Sequence, residues 1–264
     1  MLPHDERGTG DAIVLLHAGI ADRRMWAEHL DPLAEAGYRA IAVDLPGFGE
    51  AQIAHTEQAP WNDVLEAMRE LGLARAAIVG NSFGGAVALR IATVAPAAVQ
   101  ALALISAPAP GLDPSPELEA AWEAEEAALD RNDIDAAVQA VVDAWTLPDA
   151  PDGLRQRISE MQRRAFELQL SSPDASEAPD PLEQHPSTLE RLDLPVLVAA
   201  GEHDKSDFLA GAEELARRLP LAQHALIEGA GHLAPLEAPG QFRELLLAFL
   251  SAPSTRAARE AGPG

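Results

Sequence analysis

The run Gly80-Asn81-Ser82-Phe83-Gly84-Gly85 sets a serine between an apolar stretch, Ala76 to Val79, and a helical pattern that Phe83 opens. A serine at a sharp strand-to-helix turn projects its hydroxyl, and glycines two before and two after it avoid collisions where the chain doubles back. A lone serine hydroxyl is a poor nucleophile near neutrality. It needs an imidazole to take its proton, and the imidazole needs a carboxylate to fix its tautomer. Two downstream segments supply candidates. Ala200-Gly201-Glu202-His203-Asp204 follows the apolar run Pro195 to Ala199, and Glu228-Gly229-Ala230-Gly231-His232 follows the run Gln223 to Ile227. His232 is the candidate base and Asp204 the candidate acid, with Glu202, Asp207 and Asp193 as neighbouring carboxylates. A tetrahedral intermediate also needs donors aimed at its developing negative charge, and the backbone N–H of Phe83, directly after the serine, is one.

The elements that must position these groups are legible as alternating patterns. Short Val-, Ile-, Leu- and Ala-rich runs at Ala12 to Leu16, Ala40 to Val43, Ala76 to Val79, Leu102 to Ile105, Pro195 to Ala199 and Gln223 to Ile227 predict buried strands. Helical patterns at Met25 to Ala36, Asn62 to Leu71, Phe83 to Val94, Phe208 to Leu219 and Gln241 to Leu250 lie between and after them. The fold class expected is therefore α/β, a mostly parallel sheet with helices on both faces. Carboxyl ends of parallel strands share one rim, so Ser82, Asp204 and His232 can converge there although distant in sequence.

Residues 111–190 break the rhythm. Glu117 to Leu129, Asp133 to Trp145 and Gly153 to Leu170 read as three helices with no strand between them, an inserted helical cap, and Ser171 to Ser187 reads as a returning loop. The expected organisation is a core of residues 1–110 and 191–251, the cap, and a disordered tail over 252–264.

Composition excludes several function classes. The 264 residues hold 42 acids against 19 bases, a net charge of −23, which repels nucleic acid and anionic membrane surfaces. No apolar run approaches the roughly 20 residues that span a bilayer, and the first ten residues lack a secretory pattern, so a cytoplasmic protein is expected. Cysteine is absent, which removes disulfides, a thiol nucleophile and thiolate metal sites. Two acids and a histidine in immediate succession, Glu202-His203-Asp204, cannot all face one ion, so no metal is expected.

Five blocks in order, Leu15-Leu16-His17-Ala18-Gly19, Asp44-Leu45-Pro46-Gly47-Phe48-Gly49, Gly80 to Gly85, Gly201 to Asp204 and Gly231 to Glu237, resemble the signatures of the α/β-hydrolase superfamily. The resemblance spans about Asp11 to Leu250. It implies an esterase, lactonase or related acyl hydrolase, without cofactor, acting on a small ester or lactone under a helical cap. The spacing after Gly201 favours Asp204 as the acid. The second oxyanion donor becomes Gly19, or Ile20, in a loop that carries Ala18 where the family most often has glycine. Relatives usually begin with a strand pair for which this chain has little room, so the sheet is expected to lack its first edge strand. The same triad in this architecture also serves carbon–carbon bond hydrolysis and perhydrolysis, and the elbow resembles that of hydrolases of ring-opened aromatic products. Those enzymes usually place tryptophan after the base histidine, where this chain has Leu233. Dehalogenase and epoxide hydrolase chemistry need aspartate in place of Ser82. A ligand receptor without turnover is the alternative of another class.

Ile20, Trp122, Trp145 and Leu233 are the candidate pocket residues, although core packing is the favoured role for both tryptophans on their apolar helix stripes. His17 is expected to pack beneath the oxyanion loop and Asp44 to Gly47 to form a structural turn. From Asp113 to Glu190, 19 acids face only Arg131, Arg155, Arg157, Arg163 and Arg164, so this segment carries −14 of the net charge. Anionic substrates should be disfavoured unless one of those arginines lines the pocket.

Overall fold

The computed structural model describes residues 1–172, 174–185, 187–252 and 255. The first half of the chain alternates strands and helices: β1 (His4–Arg7), β2 (Asp11–Leu16), α1 (Ala27–Glu35), β3 (Tyr38–Val43), the two-residue β4 (Glu57–Gln58), α2 (Pro60–Glu70), β5 (Ala76–Asn81), α3 (Phe83–Val94) and β6 (Val99–Ile105). Three helices follow without an intervening strand, α4 (Pro116–Asp130), α5 (Ile134–Trp145) and α6 (Asp152–Leu170). The chain then returns through β7 (Ser176–Glu177) and α7 (Pro181–Gln184) to β8 (Val196–Gly201), α8 (Ser206–Arg218), β9 (Ala222–Ile227), α9 (Ala234–Glu237) and α10 (Pro239–Ser251).

Seven strands form one sheet in the order β1-β3-β2-β5-β6-β8-β9. Every pairing is parallel except that of β1 with β3, where His4 stands opposite Val43 and Arg7 opposite Ala40. Side chains alternate between faces along a strand, so one apolar run feeds two cores. Ile13, Leu15, Val79, Ile105 and Leu197 pack on one face, while Val14, Leu16, Ile78, Leu104 and Val198 pack on the other. The first core continues into α1, α10 and apolar residues of α4 to α6, and the second takes Trp61, Val64 and Met68 of α2 and Leu215 of α8. This is the mostly parallel α/β architecture expected.

Three local differences have physical causes. The helix expected from Met25 divides, because Asp22 accepts a hydrogen bond from the Arg24 N–H at 2.9 Å and caps a tight turn of Arg23–Trp26 before α1 begins. The segment read as a loop holds α7, started by Asp180, whose carboxylate accepts from Leu182 N–H at 2.9 Å with Pro181 at the first helical position. It also holds β7, which pairs in parallel with β4, and two-residue strands are too short to show alternation. The amino terminus contributes the single strand β1 at the sheet edge. The expected disordered tail lies, apart from Ala252 and Thr255, outside the described residues. No helix among the described residues is long and apolar enough to cross a membrane.

His29 links α1 to the carboxyl-terminal third: its Nε2 lies 2.9 Å from the Pro235 carbonyl, to which it donates, and its ring packs edge-on to Trp26 and Phe242. Burial pushes its pKa down to about 4, whereas an unfolded histidine titrates near 6.5. The unfolded state therefore binds the extra proton between those values, and stability is full above about pH 6.5 and falls as pH drops toward 4. The contribution is about 3 kcal/mol. Urea unfolding of His29→Gln should show a shallower loss of stability from pH 6.5 to 4 than the parent, and an unchanged acid slope would refute this assignment.

Candidate active site

The β5–α3 turn forces Ser82 into an unusual backbone conformation, φ 52° and ψ −116°. Such a residue carries about 1–3 kcal/mol of strain, which the surrounding packing must hold. The glycines explain how. A Cβ on Gly80 would lie 2.2 Å from the Gly84 carbonyl oxygen, and one on Gly84 would lie 2.3 Å from the Leu16 carbonyl oxygen. The Ser82 N–H donates to Ile105 O at 2.8 Å, tying the turn to the end of β6. Ser82 caps α3, so the Phe83 N–H opens the positive end of a twelve-residue helix beside it.

Asp204 and His232 leave adjacent strands, β8 and β9, at the same rim. Their loops are packed against each other: His203 N–H donates to Ala230 O at 2.8 Å, and a Cβ on Gly201 would meet the Gly231 carbonyl oxygen at 2.1 Å. His232 Nδ1 lies 2.9 Å from Asp204 Oδ1, which also accepts from Lys205 N–H at 2.8 Å. With Nδ1 donating to the carboxylate, Nε2 is the nitrogen left to accept a proton. Both side chains are buried, and the imidazole is flanked by Phe208 and Trp145 with ring centroids 4.2 and 4.6 Å away. Glu237 supports this loop by accepting from Gly231 N–H at 2.8 Å and Leu147 N–H at 3.3 Å, while burial raises its carboxyl pKa.

Ser82 and His232 line one cavity of about 810 Å³. Gly19, Ile20, Phe83, Trp122 and Trp145 line it too, so the structure brings these sequence candidates together. Two readings need correction. Trp122 is not a core residue: it is 48% exposed and forms part of the cavity wall, whereas Trp145 is buried and reaches the cavity as well. Leu233, proposed for the pocket, is fully buried in the hydrophobic core and does not line the cavity, because it caps α9 just after His232 and turns inward. His17 is buried, its Nδ1 donating to Ala18 O at 2.8 Å and its Nε2 accepting from Leu45 N–H at 2.9 Å, with burial lowering its pKa. Both ring nitrogens are thereby occupied in holding the loop that carries Gly19.

The cavity wall contains no lysine or arginine among the described residues, but it includes Asp113, Glu125, Glu177 and Asp207. The arginines of 111–190 with described partners turn elsewhere: Arg155 to Thr146 and Asp143, Arg157 to Glu28, Arg163 to Asp135, and Arg164 to Gly49 O and Glu167.

Sequence reading missed Asn81. Its buried Nδ2 donates to Ile105 O and His232 O, both at 3.1 Å, and so bolts the elbow to the histidine loop. An amide directly before the serine, at the end of a buried strand, was the available signal, since a buried amide must find partners. Asn81→Ala removes the side-chain donor to the buried His232 carbonyl, while Ile105 O keeps the Ser82 N–H, and should cost about 1–3 kcal/mol in stability. Turnover should fall about tenfold with little change in KM if the bolt sets the Ser82–His232 geometry. Steady-state kinetics beside thermal unfolding decide it, and a stability loss with kcat untouched would leave only a structural role.

Comparisons with known proteins agree with this architecture. A family model described as alpha/beta hydrolase fold matches residues 11–239. A 2-hydroxy-6-oxo-6-phenylhexa-2,4-dienoate hydrolase of Comamonas testosteroni is 34% identical over a stretch covering 35% of this chain, and the chain spans only 35% of that relative. A 2-hydroxy-6-oxononadienedioate/2-hydroxy-6-oxononatrienedioate hydrolase of Paraburkholderia phymatum is 28% identical over 94% of this chain and 90% of its own length. Among solved structures, a thermophilic esterase from Thermogutta terrifontis superposes with a TM-score of 0.80 at 25% identity, covering 97% of this chain and 93% of that one.

Proposed function

The chain belongs to the alpha/beta hydrolase fold family, and from that premise we propose that it is a serine hydrolase of small, uncharged or non-anionic carboxylic esters or lactones. The observation that carries the reading is the Asp204–His232 hydrogen bond of 2.9 Å, with His232 facing the same cavity as the strained Ser82. In this mechanism His232 Nε2 takes the Ser82 proton as Oγ attacks the carbonyl carbon. The N–H groups of Phe83 and Gly19 stabilise the resulting oxyanion. Collapse expels the alcohol, protonated by His232, and leaves an acyl-serine. Water, deprotonated by His232, then releases the acid and restores the serine. Asp204 holds the imidazole tautomer and stabilises its cation. Helices α4 to α6 act as a cap that supplies the outer wall.

Carbon–carbon bond hydrolysis is the second reading, favoured by the Comamonas and Paraburkholderia relatives, which are dienoate and dienedioate/trienedioate hydrolases. Their substrates, by name, are carboxylates. An acidic cavity wall without a lysine or arginine among its described residues repels such anions, which supports the ester or lactone reading instead. The deciding experiment pairs covalent labelling by a fluorophosphonate probe with a panel of p-nitrophenyl esters, lactones and a dienoate ring-cleavage product. Ser82-dependent hydrolysis of neutral esters or lactones supports the proposal, and preference for the anionic dienoate overturns it. Labelling without turnover of any panel member would point to a receptor.

A further inference from the structure

Helix α4 presents Leu118, Trp122 and Glu125 to the cavity, at intervals of four and three residues that place them on one face. Glu125 is half-buried, and no ion pair or hydrogen bond reaches it among the described residues. Burial alone pushes its carboxyl pKa upward. From α6, Gln162 also lines the cavity. It is 3% exposed, yet its Oε1 has no hydrogen-bond partner among the described residues. A buried amide oxygen without a donor costs about 1–3 kcal/mol, a cost that a bound N–H or O–H group would relieve. Two acceptors without donors and an open tryptophan face share one complement. That complement is a cation carrying N–H groups on an apolar stem.

Resting on the serine hydrolase reading, we propose that Glu125, Gln162 and Trp122 form a subsite for a protonated amino group, making esters or lactones that bear an ammonium group the preferred substrates. The ammonium donates to the Glu125 carboxylate and, once the terminal amide turns over, to Gln162 Oε1, and the Trp122 ring covers its methylene stem. Among the described residues, no lysine or arginine lines this wall. Lys205, 5.6 Å from the Trp145 ring centre, pairs at 2.8 Å with Glu117 instead. Asp207, on the same wall, is already engaged by the Ser115 N–H and hydroxyl, both at 2.7 Å.

The test compares p-nitrophenyl ε-aminocaproate with p-nitrophenyl heptanoate, which differ by an ammonium in place of a methyl group. The parent enzyme should favour the amino ester by about tenfold or more in kcat/KM. Glu125→Gln and Gln162→Leu should each reduce that ratio by about fivefold or more, while Glu123→Gln, which removes an exposed charge from the same helix, should not change it. No preference in the parent overturns the proposal, and so does an equal loss of preference in Glu123→Gln, which would mean a diffuse field rather than a site. If neither ester is cleaved, the serine hydrolase reading fails separately. Calorimetry of hexylammonium binding to Ser82→Ala protein then decides the subsite: binding weakened by Glu125→Gln supports it, and absence of binding overturns it.

Discussion

Ser82→Ala is expected to lower kcat for ester hydrolysis by a factor of about 10⁴ to 10⁶ while leaving the fold intact. The loss is large because, in the proposed mechanism, every covalent step passes through the Ser82 oxygen. Without it, water must attack directly, aided only by the oxyanion donors and by substrate binding. The substitution removes one oxygen at the mouth of a cavity, and the Ser82 backbone keeps its hydrogen bonds to Ile105 O and from Ala86 N–H. Thermal unfolding should therefore shift little. The measurement is single-turnover and steady-state kinetics on protein freed of parent contamination. Residual activity above about a tenth of the parent would exclude Ser82 as nucleophile.

The second large effect concerns stability and lies outside the triad. Asp44 directly follows β3 and is fully buried, accepting from Arg23 N–H and Glu50 N–H at 2.8 Å each and from the Arg23 guanidinium. Gly49 takes φ +55° against it, and a Cβ there would fall 2.3 Å from an Asp44 oxygen. Asp44→Ala strands two backbone donors and breaks a buried ion pair, for an expected loss of about 3–5 kcal/mol. Arg23 is cushioned, since it also pairs with Asp5 and Glu50. The Asp44→Ala/Arg23→Ala double variant should thus lose clearly less than the sum of the single losses, with a coupling of about 1 kcal/mol or more. Denaturant unfolding of the cycle tests it, and strict additivity would show that the pair is not the source of the stability. The same turn feeds the site, because Leu45 N–H holds His17 and His17 holds the loop of Gly19.

Patterned elements were readable because burial on both faces leaves near-continuous apolar runs. All six strands expected from such runs are present within a few residues, but β9 is an edge strand that is mostly exposed rather than buried, with Leu226 54% exposed; α3 runs from Phe83 to Val94 as read. Ser82, Asp204 and His232 stood out as candidates because the chemistry constrains residue type and each follows a strand, and the structure sets His232 beside Asp204 and on one cavity with Ser82. Positions set by three-dimensional closure were less visible. Nothing around Trp122 in sequence separates a core stripe from a cavity wall, since both need an apolar residue at helical spacing. Leu233 follows His232 directly, yet adjacency to a functional residue does not fix which way a side chain turns. The Arg23–Asp44 pair joins residues 21 positions apart through a fold that a local pattern cannot express. Nothing in the sequence around Gln162 and Glu125 separates them from other polar helix residues until the helices are placed over the sheet.

The Asn81 bond to His232 joins residues 151 apart, whereas His232 and Asp204 are separated by 28. Loop-closure entropy grows with the logarithm of that separation, so the longer link costs only about 1.5 kcal/mol more to close than the shorter one. Thermodynamically the distant halves of the site are joined at little extra expense. Kinetically the difference is greater, because contacts of high sequence separation slow folding. During synthesis Ser82 emerges long before His232, and on the proposed roles a nascent chain that has folded only through β6 would hold a nucleophile with nothing to activate it. The order of residues along the polypeptide would then keep such a centre silent until the last strand is in place.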